Sequence, residues 1–541
     1  EIGLAAPTDC RWYLQVVVTS REAPTVDVDV RVRWSPDLVS EFHEARMAKE
    51  FWSGGDEVRL YGPRVPVAGP LSYQLPLSDE GVNRTLTGAI DPAPADIRDL
   101  PRILRTVEER DIRFIRLWFT DVLGNLKSFS ISAEDLEEAF EEGIGFDGSS
   151  VQGFVPQCES DMLAFPDPTT FQVLPWRPEE RGAARVFCDI RTPSREPFDG
   201  DPRACLQHVF RKADECGYVM NVGPKLEYFY FDKSKAPVPV PLDQAGYFDL
   251  TSSDASTDLR RETTLNLEKM SIPVAYSYHS NAPSQNGIEL RFAEAVASAD
   301  NMVTSRLVIR QQAFEHGMMA SFMPKPLGDC SGSGMFLYQS LFDHEGDNLF
   351  WAPKTENSAH LSPVGQGYVA GILRYAPEFT LVTNPTVNSY KRLVANGEVP
   401  LYTTWGRKNR ATLVRIPTHK PGKHQSTRIE LRSPDPTANP YLALAVTLAA
   451  GLRGVEEGLA LPDEAQVDPN AMSPEERASA GMQRLPRTLG EAVDIFERSE
   501  LMRDTLGDHI FEYLVSEKRK EWDEFCSVVT DWECANYYAG V

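Results

Sequence analysis

The chain of 541 residues is 42% hydrophobic and 25% charged, a globular balance too long for one core, so two or three domains are expected. A net charge of -24 and the absence of any basic run exclude nucleic acid as a partner, because phosphate binding draws on concentrated Lys and Arg. No apolar run reaches the ~20 residues of a membrane span, and the eight scattered cysteines form no C-x-x-C pair, which excludes a zinc ribbon or disulfide framework and suits a cytoplasmic location.

In chain order, residues 1–92 show β-like alternation, notably in Trp12 to Val18 and Val26 to Val32, and form an extra N-terminal segment of unknown role. Asp91-Pro92-Ala93-Pro94-Ala95 reads as a linker. Residues 96–200 mix strands and helices. Arg113 to Phe119 is a strand with a turn at Gly124, and Ser132 caps an acidic helix that stops at Gly143. Residues 201–541 alternate helices with strands at Lys225 to Phe231, Ile288 to Phe292 and Thr427 to Arg432. Tyr441 to Leu452 is a helix that Gly454 is expected to end, and Pro462 to Pro486 is a polar surface excursion.

Several motifs occur in a telling order: Phe119-Thr120-Asp121-Val122-Leu123-Gly124, Phe146-Asp147-Gly148-Ser149-Ser150, Met323-Pro324-Lys325-Pro326, and Gly332-Ser333-Gly334-Met335. Asn384-Pro385-Thr386-Val387-Asn388-Ser389-Tyr390-Lys391-Arg392-Leu393, Asn409-Arg410 and Arg428-Ile429-Glu430-Leu431-Arg432-Ser433-Pro434 follow. From about residue 100 onward this set resembles type I glutamine synthetases. The resemblance implies an α+β fold: a β-grasp domain over 96–200 and a catalytic-type domain over 201–541 with helices and a curved antiparallel sheet. It also implies a homo-oligomer of double hexameric rings with active sites shared between neighbours. The family reaction phosphorylates the γ-carboxylate of glutamate with ATP, and ammonia then attacks the acyl phosphate.

Gathering two anions for phosphoryl transfer requires positive charge. By resemblance Arg392 and Arg432 hold a glutamate-like substrate, and Arg415, Arg428 and Ser340 line the nucleotide path. Asp121, Glu398 and Arg410 are the catalytic positions, with Asp121 acting across a subunit interface on ammonia and Glu398 closing the site. The metal positions diverge. The resemblance implies six ligands for Mg²⁺ or Mn²⁺, of which Glu227 and Glu430 remain while Lys225, Ser280, Gly287 and Phe336 replace the other four. Two glutamates and one lysine carry a formal charge of -1, too little to hold a pair of divalent ions that prefer carboxylate oxygens. Lys225 is expected to pair with Glu227 or Glu430, since a buried ammonium needs a partner. His279 is expected to be a hydrogen-bonded core residue, and Glu289 a solvated or paired carboxylate.

Two functions follow. The first is a catalytically degenerate protein, with weak or absent metal, that binds an anion or nucleotide or co-assembles with an active paralogue. The second is an active ATP-dependent glutamate–ammonia or glutamate–amine ligase with altered metal use and an apolar amine pocket at Phe336 and Tyr338. Restoring Glu at 225, 280 and 287 with His at 336 is a further test, in which a gain of glutamine formation would show that only the metal site is missing.

Overall fold

The structure is a computed structural model that describes residues 100–154, 161–177, 181–250, 256–353, 360–394 and 399–540, with the backbone of five earlier strands. Those strands belong to a unit spanning Glu1–Pro94. In it β1 (Ile2–Leu4) pairs antiparallel with β5 (Leu71–Tyr73), and β2 (Tyr13–Val18), β3 (Val28–Arg33) and β4 (Phe42–Arg46) form an antiparallel meander. The linker expected at 91–95 lies outside the described residues.

The second unit, Ala95–Val541, opens with the helix Leu100–Glu109 and continues into a six-stranded sheet. It contains β6 (Ile112–Thr120), β7 (Leu126–Ser132), β8 (Ile144–Asp147), β9 (Asp161–Pro166), β10 (Gln172–Val173) and β11 (Gly182–Arg191), in the order β7-β6-β11-β9-β8 with β10 on β11. The two-residue period of β6 sorts its side chains between two cores. Ile115, Leu117 and Phe119 enter a small core with Leu136 and Val186, while Trp118 faces the large core beside Phe187. Ser132 accepts from Glu134 N at 3.3 Å and starts a 3₁₀ turn that leads into the helix Leu136–Glu142, which closes on Gly143 at φ 75°. Only glycine adopts that backbone without strain.

A nine-stranded sheet follows: β12 (Val219–Asp232), β13 (Val274–His279), β14 (Gln285–Leu290), β15 (Ala293–Glu294), β16 (Met318–Ser321), β17 (Met335–Phe342), β18 (Trp405–Gly406), β19 (Val414–Arg415) and β20 (Ile429–Leu431). The order is β13-β14-β12-β17-β20-β19-β18, antiparallel except for the short β18–β19 pair. Along its 14 residues β12 exchanges β15 for β14 on one edge and β17 for β16 on the other. This is the expected α+β fold, a β-grasp sheet followed by a large sheet backed by helices.

One helix end differs from expectation. The helix Pro440–Glu456 runs through Gly454 instead of stopping there. The glycine serves packing: a Cβ on it would lie 2.2 Å from Gly367 O and 2.5 Å from Gly371 Cα in the neighbouring helix Pro363–Thr383. Both obstacles are backbone, so neither helix can yield locally. Gly454→Ala is expected to lower stability by about 2–3 kcal/mol in denaturant unfolding with an unchanged m-value.

Candidate active site

Register places the candidate residues in three rows across the large sheet. Tyr276, Glu289, Lys225 and Phe336 form one row; Tyr278, Gly287 and Glu227 form a second; Tyr338, Glu430 and Arg415 form a third. Residues two apart on a strand share a face, so Lys225 with Glu227 and Phe336 with Tyr338 point to the same side.

Glu227 is 7% exposed and fully engaged by uncharged donors. Its Oε1 accepts from Ser280 Oγ at 2.9 Å and from the Tyr278 hydroxyl at 3.3 Å, and its Oε2 accepts from Gly334 N at 2.9 Å. The Tyr278 ring lies over Gly287 so closely that a Cβ there would sit 2.1 Å from Cζ. Burial, followed by the Glu227 charge, raises the Tyr278 pKa well above the usual phenol value, so Tyr278 remains a donor.

Lys225 does not pair as expected. Among the described residues it forms no ion pair with Glu227, Glu430 or another carboxylate. Its Nζ instead lies 4.6 Å from the Tyr278 ring centroid and 5.4 Å from that of Phe336. Aromatic faces attract a cation without neutralising it. The two glutamates are already taken, which is why the ammonium turns to the rings.

Glu430 is 2% exposed and is held by two guanidinium groups. Arg432 Nη1 donates to its Oε1 at 2.9 Å, and Arg415 Nε pairs with its Oε2. Burial opposes the charge of Arg415, but Glu430 outweighs it and raises the pKa. Arg428 lies over the Tyr338 ring at 5.3 Å, and Arg432 over Phe336 at 5.0 Å. Phe336 and Tyr338 are therefore packed by cations, which corrects the expectation of an open apolar amine pocket. The exposed rings lie elsewhere: Tyr247 and Phe248 stack with centroids 4.0 Å apart, both edge-on to Tyr278, and Tyr276 lies beside Glu289.

The remaining candidates divide. Arg392 is brought to the Glu227 patch but is 4% exposed, and it donates to the carbonyls of Ser433 at 2.7 Å and Arg432 at 3.1 Å, bracing the loop over Gly332 and Gly334. Arg410 is exposed, and its carbonyl accepts from Arg432 Nε at 2.9 Å. Ser340 is buried and donates to Thr427 O at 2.9 Å, so its hydroxyl ties β17 to the turn that precedes β20 instead of facing a nucleotide. Asp121, expected to act across an interface, is 0% exposed. Its carboxylate closes its own loop, accepting from Asn125 N at 2.8 Å and pairing with Lys127 at 3.1 Å. Glu398 lies outside the described residues. His279 is a core residue bonded to Asp243 at 3.1 Å and to Ser280 O at 2.9 Å.

These residues do not fit the metal cluster that the resemblance implies. Among the described residues no group of three or more His, Cys, Asp or Glu could hold an ion. The space beside Gly287 is filled by Tyr278, and an ammonium stands at 225. Sequence reasoning missed Tyr278, although a large ring paired across strands with a glycine carries a signal: the glycine leaves room that the ring fills.

Residues 111–193 match the family described as glutamine synthetase, beta-Grasp domain, and residues 199–537 match glutamine synthetase, catalytic domain. The chain is 49% identical to a glutamine synthetase of Mycobacterium tuberculosis (strain ATCC 25618 / H37Rv) over 440 residues, which cover 80% of this chain and 98% of the relative. It is 45% identical to a glutamine synthetase of Methanosarcina mazei over 437 residues, covering 80% and 96%. A solved structure described as a GmaS/ADP complex superposes with a TM-score of 0.73 at 29% identity, covering 81% of this chain and 99% of that one. These relatives overturn the expectation of a degenerate, co-assembling protein: the similarity extends over nearly the whole of named synthetases. Among the described residues no helix is long and apolar enough to cross a membrane.

Proposed function

Since the chain belongs to the glutamine synthetase family, whose members use ATP and a divalent metal, bind glutamate and form oligomers, we propose that it is an ATP-dependent ligase forming γ-glutamyl amides, with altered metal use. The observation that carries this reading is the set of Arg415, Arg428 and Arg432 around Glu430 on one sheet face. Guanidinium groups held in fixed orientation neutralise a phosphoryl group without reorganising during transfer. In this reading they gather the nucleotide phosphates, and the γ-carboxylate oxygen of glutamate attacks the terminal phosphorus. ADP leaves and an acyl phosphate forms. The nitrogen of an amine then bonds to the acyl carbon, the carbon–oxygen bond to phosphate breaks, and the nitrogen loses a proton to a carboxylate such as Glu398.

The exposed rings of Tyr247, Phe248 and Tyr276 beside Glu289 favour an organic amine over ammonia, because an ammonium with an apolar tail gains from both charge and aromatic faces. The same reading keeps residues 1–92 outside the ligase, divides the remainder at 96–200 and 201–541, and assigns a cytoplasmic dodecamer.

The test is ADP release and γ-glutamyl amide formation, followed by mass spectrometry across ammonia and a panel of primary amines. Arg428→Ala is expected to lower kcat/KM about 100-fold. ATP binding without turnover for every acceptor would sink the reading.

A further inference from the structure

We propose that this site takes its phosphate-bearing ligand free of divalent metal, with the Lys225 ammonium as the fixed cation between the two anion patches. The proposal rests on the ligase reading and specifies the form of the nucleotide.

Three observations converge. First, Lys225 lies in the middle of the face, one row from Glu227 and one row from Glu430, and it has no carboxylate partner among the described residues. Tyr278 and Phe336 hold its charge at 4.6 and 5.4 Å without cancelling it. Second, both surviving glutamates are committed. Glu227 accepts from Ser280, Tyr278 and Gly334, and Glu430 is clamped by Arg415 and Arg432. A metal would have to break buried bonds to gain either oxygen set. Third, the sign of the face is inverted. Among the described residues of the face, Lys225, Arg415, Arg428 and Arg432 stand beside Glu227, Glu289 and Glu430, an excess of one positive charge in a chain whose overall charge is -24.

A dication carried in on a nucleotide would approach the ammonium between these two rings, and like charges at contact distance repel strongly where water is scarce. A bare triphosphate brings more negative charge than its metal complex and meets a surplus of positive charge. The protein thus supplies from its own side chain the charge that an ion supplies elsewhere in the family.

Calorimetric titration of ATP into the full chain, without glutamate, tests this in EDTA and in excess Mg²⁺. Affinity in EDTA is expected to equal or exceed that in Mg²⁺. Lys225→Met is expected to weaken binding in EDTA about tenfold, while Lys225→Arg retains it; thermal unfolding checks that both variants fold. Binding only with Mg²⁺, no binding in either buffer, or an unchanged affinity in folded Lys225→Met overturns the proposal. The two readings fail separately. Amide formation with strictly Mg²⁺-dependent ATP binding removes this inference and leaves the ligase. Metal-free ATP binding without any amide product removes the ligase and leaves the site.

Discussion

Glu430→Ala is expected to lower stability by about 3–5 kcal/mol and to abolish amide formation, the largest loss for any single carboxylate of the site. The carboxylate is 3% exposed in its side chain and accepts from two guanidinium groups, of which Arg432 is itself 8% exposed. Removing it takes away the carboxylate that two guanidinium groups share in a buried place, and breaking such a buried pair from one side costs more than the lost attraction alone. Arg432 also donates to Arg410 O, and Arg415 belongs to the short strand β19 paired with β20, so the loss spreads to the backbone that carries the other arginines. Glu430→Gln keeps the shape and one acceptor, and is expected to cost less than half as much. Denaturant unfolding of the two variants measures the difference; equal values below about 1 kcal/mol would show that the ion pairs hold nothing together.

The parts of the molecule that local sequence controls were legible before the structure. The β6 strand declares itself through its aromatic and β-branched residues ahead of the turn at Gly124, and Ser132 and Gly143 bracket a helix through capping chemistry that needs no tertiary partner. Gly454 was misread because a glycine near a helix end signals termination locally, whereas its use here depends on a second helix some 85 residues away. The site divides along the same line. Substitutions at Lys225, Ser280, Gly287 and Phe336 are visible one residue at a time. Their consequences are not, because each depends on a cross-strand neighbour: Tyr278 over Gly287, Phe336 beside Lys225, Arg415 and Arg432 on Glu430. A carboxylate that has lost its metal does not wait empty. It recruits the nearest donors, and those donors decide what the site can bind.

That coupling determines what is needed to return the metals. Gly287→Glu alone is expected to cost about 3 kcal/mol, since its Cβ would fall 2.1 Å from Tyr278 Cζ and 2.3 Å from the hydroxyl oxygen. The ring cannot swing aside cheaply, because its hydroxyl is hydrogen-bonded to Glu227 and its edges pack against Tyr247 and Phe248. The four changes Lys225→Glu, Ser280→Glu, Gly287→Glu and Phe336→His therefore fail as a set while Tyr278 remains. They add three carboxylates to a place a ring already fills, and each unpaired buried charge carries a further penalty. Adding Tyr278→His removes the obstruction and supplies an imidazole of ordinary ligand chemistry. The five-residue variant is expected to bind Mn²⁺ at micromolar concentration and to form glutamine, whereas the four-residue variant binds none and unfolds earlier. Paramagnetic resonance titration of Mn²⁺ distinguishes them: equal occupancy in the two variants would mean that the ring yields freely and that Tyr278 does not control the site.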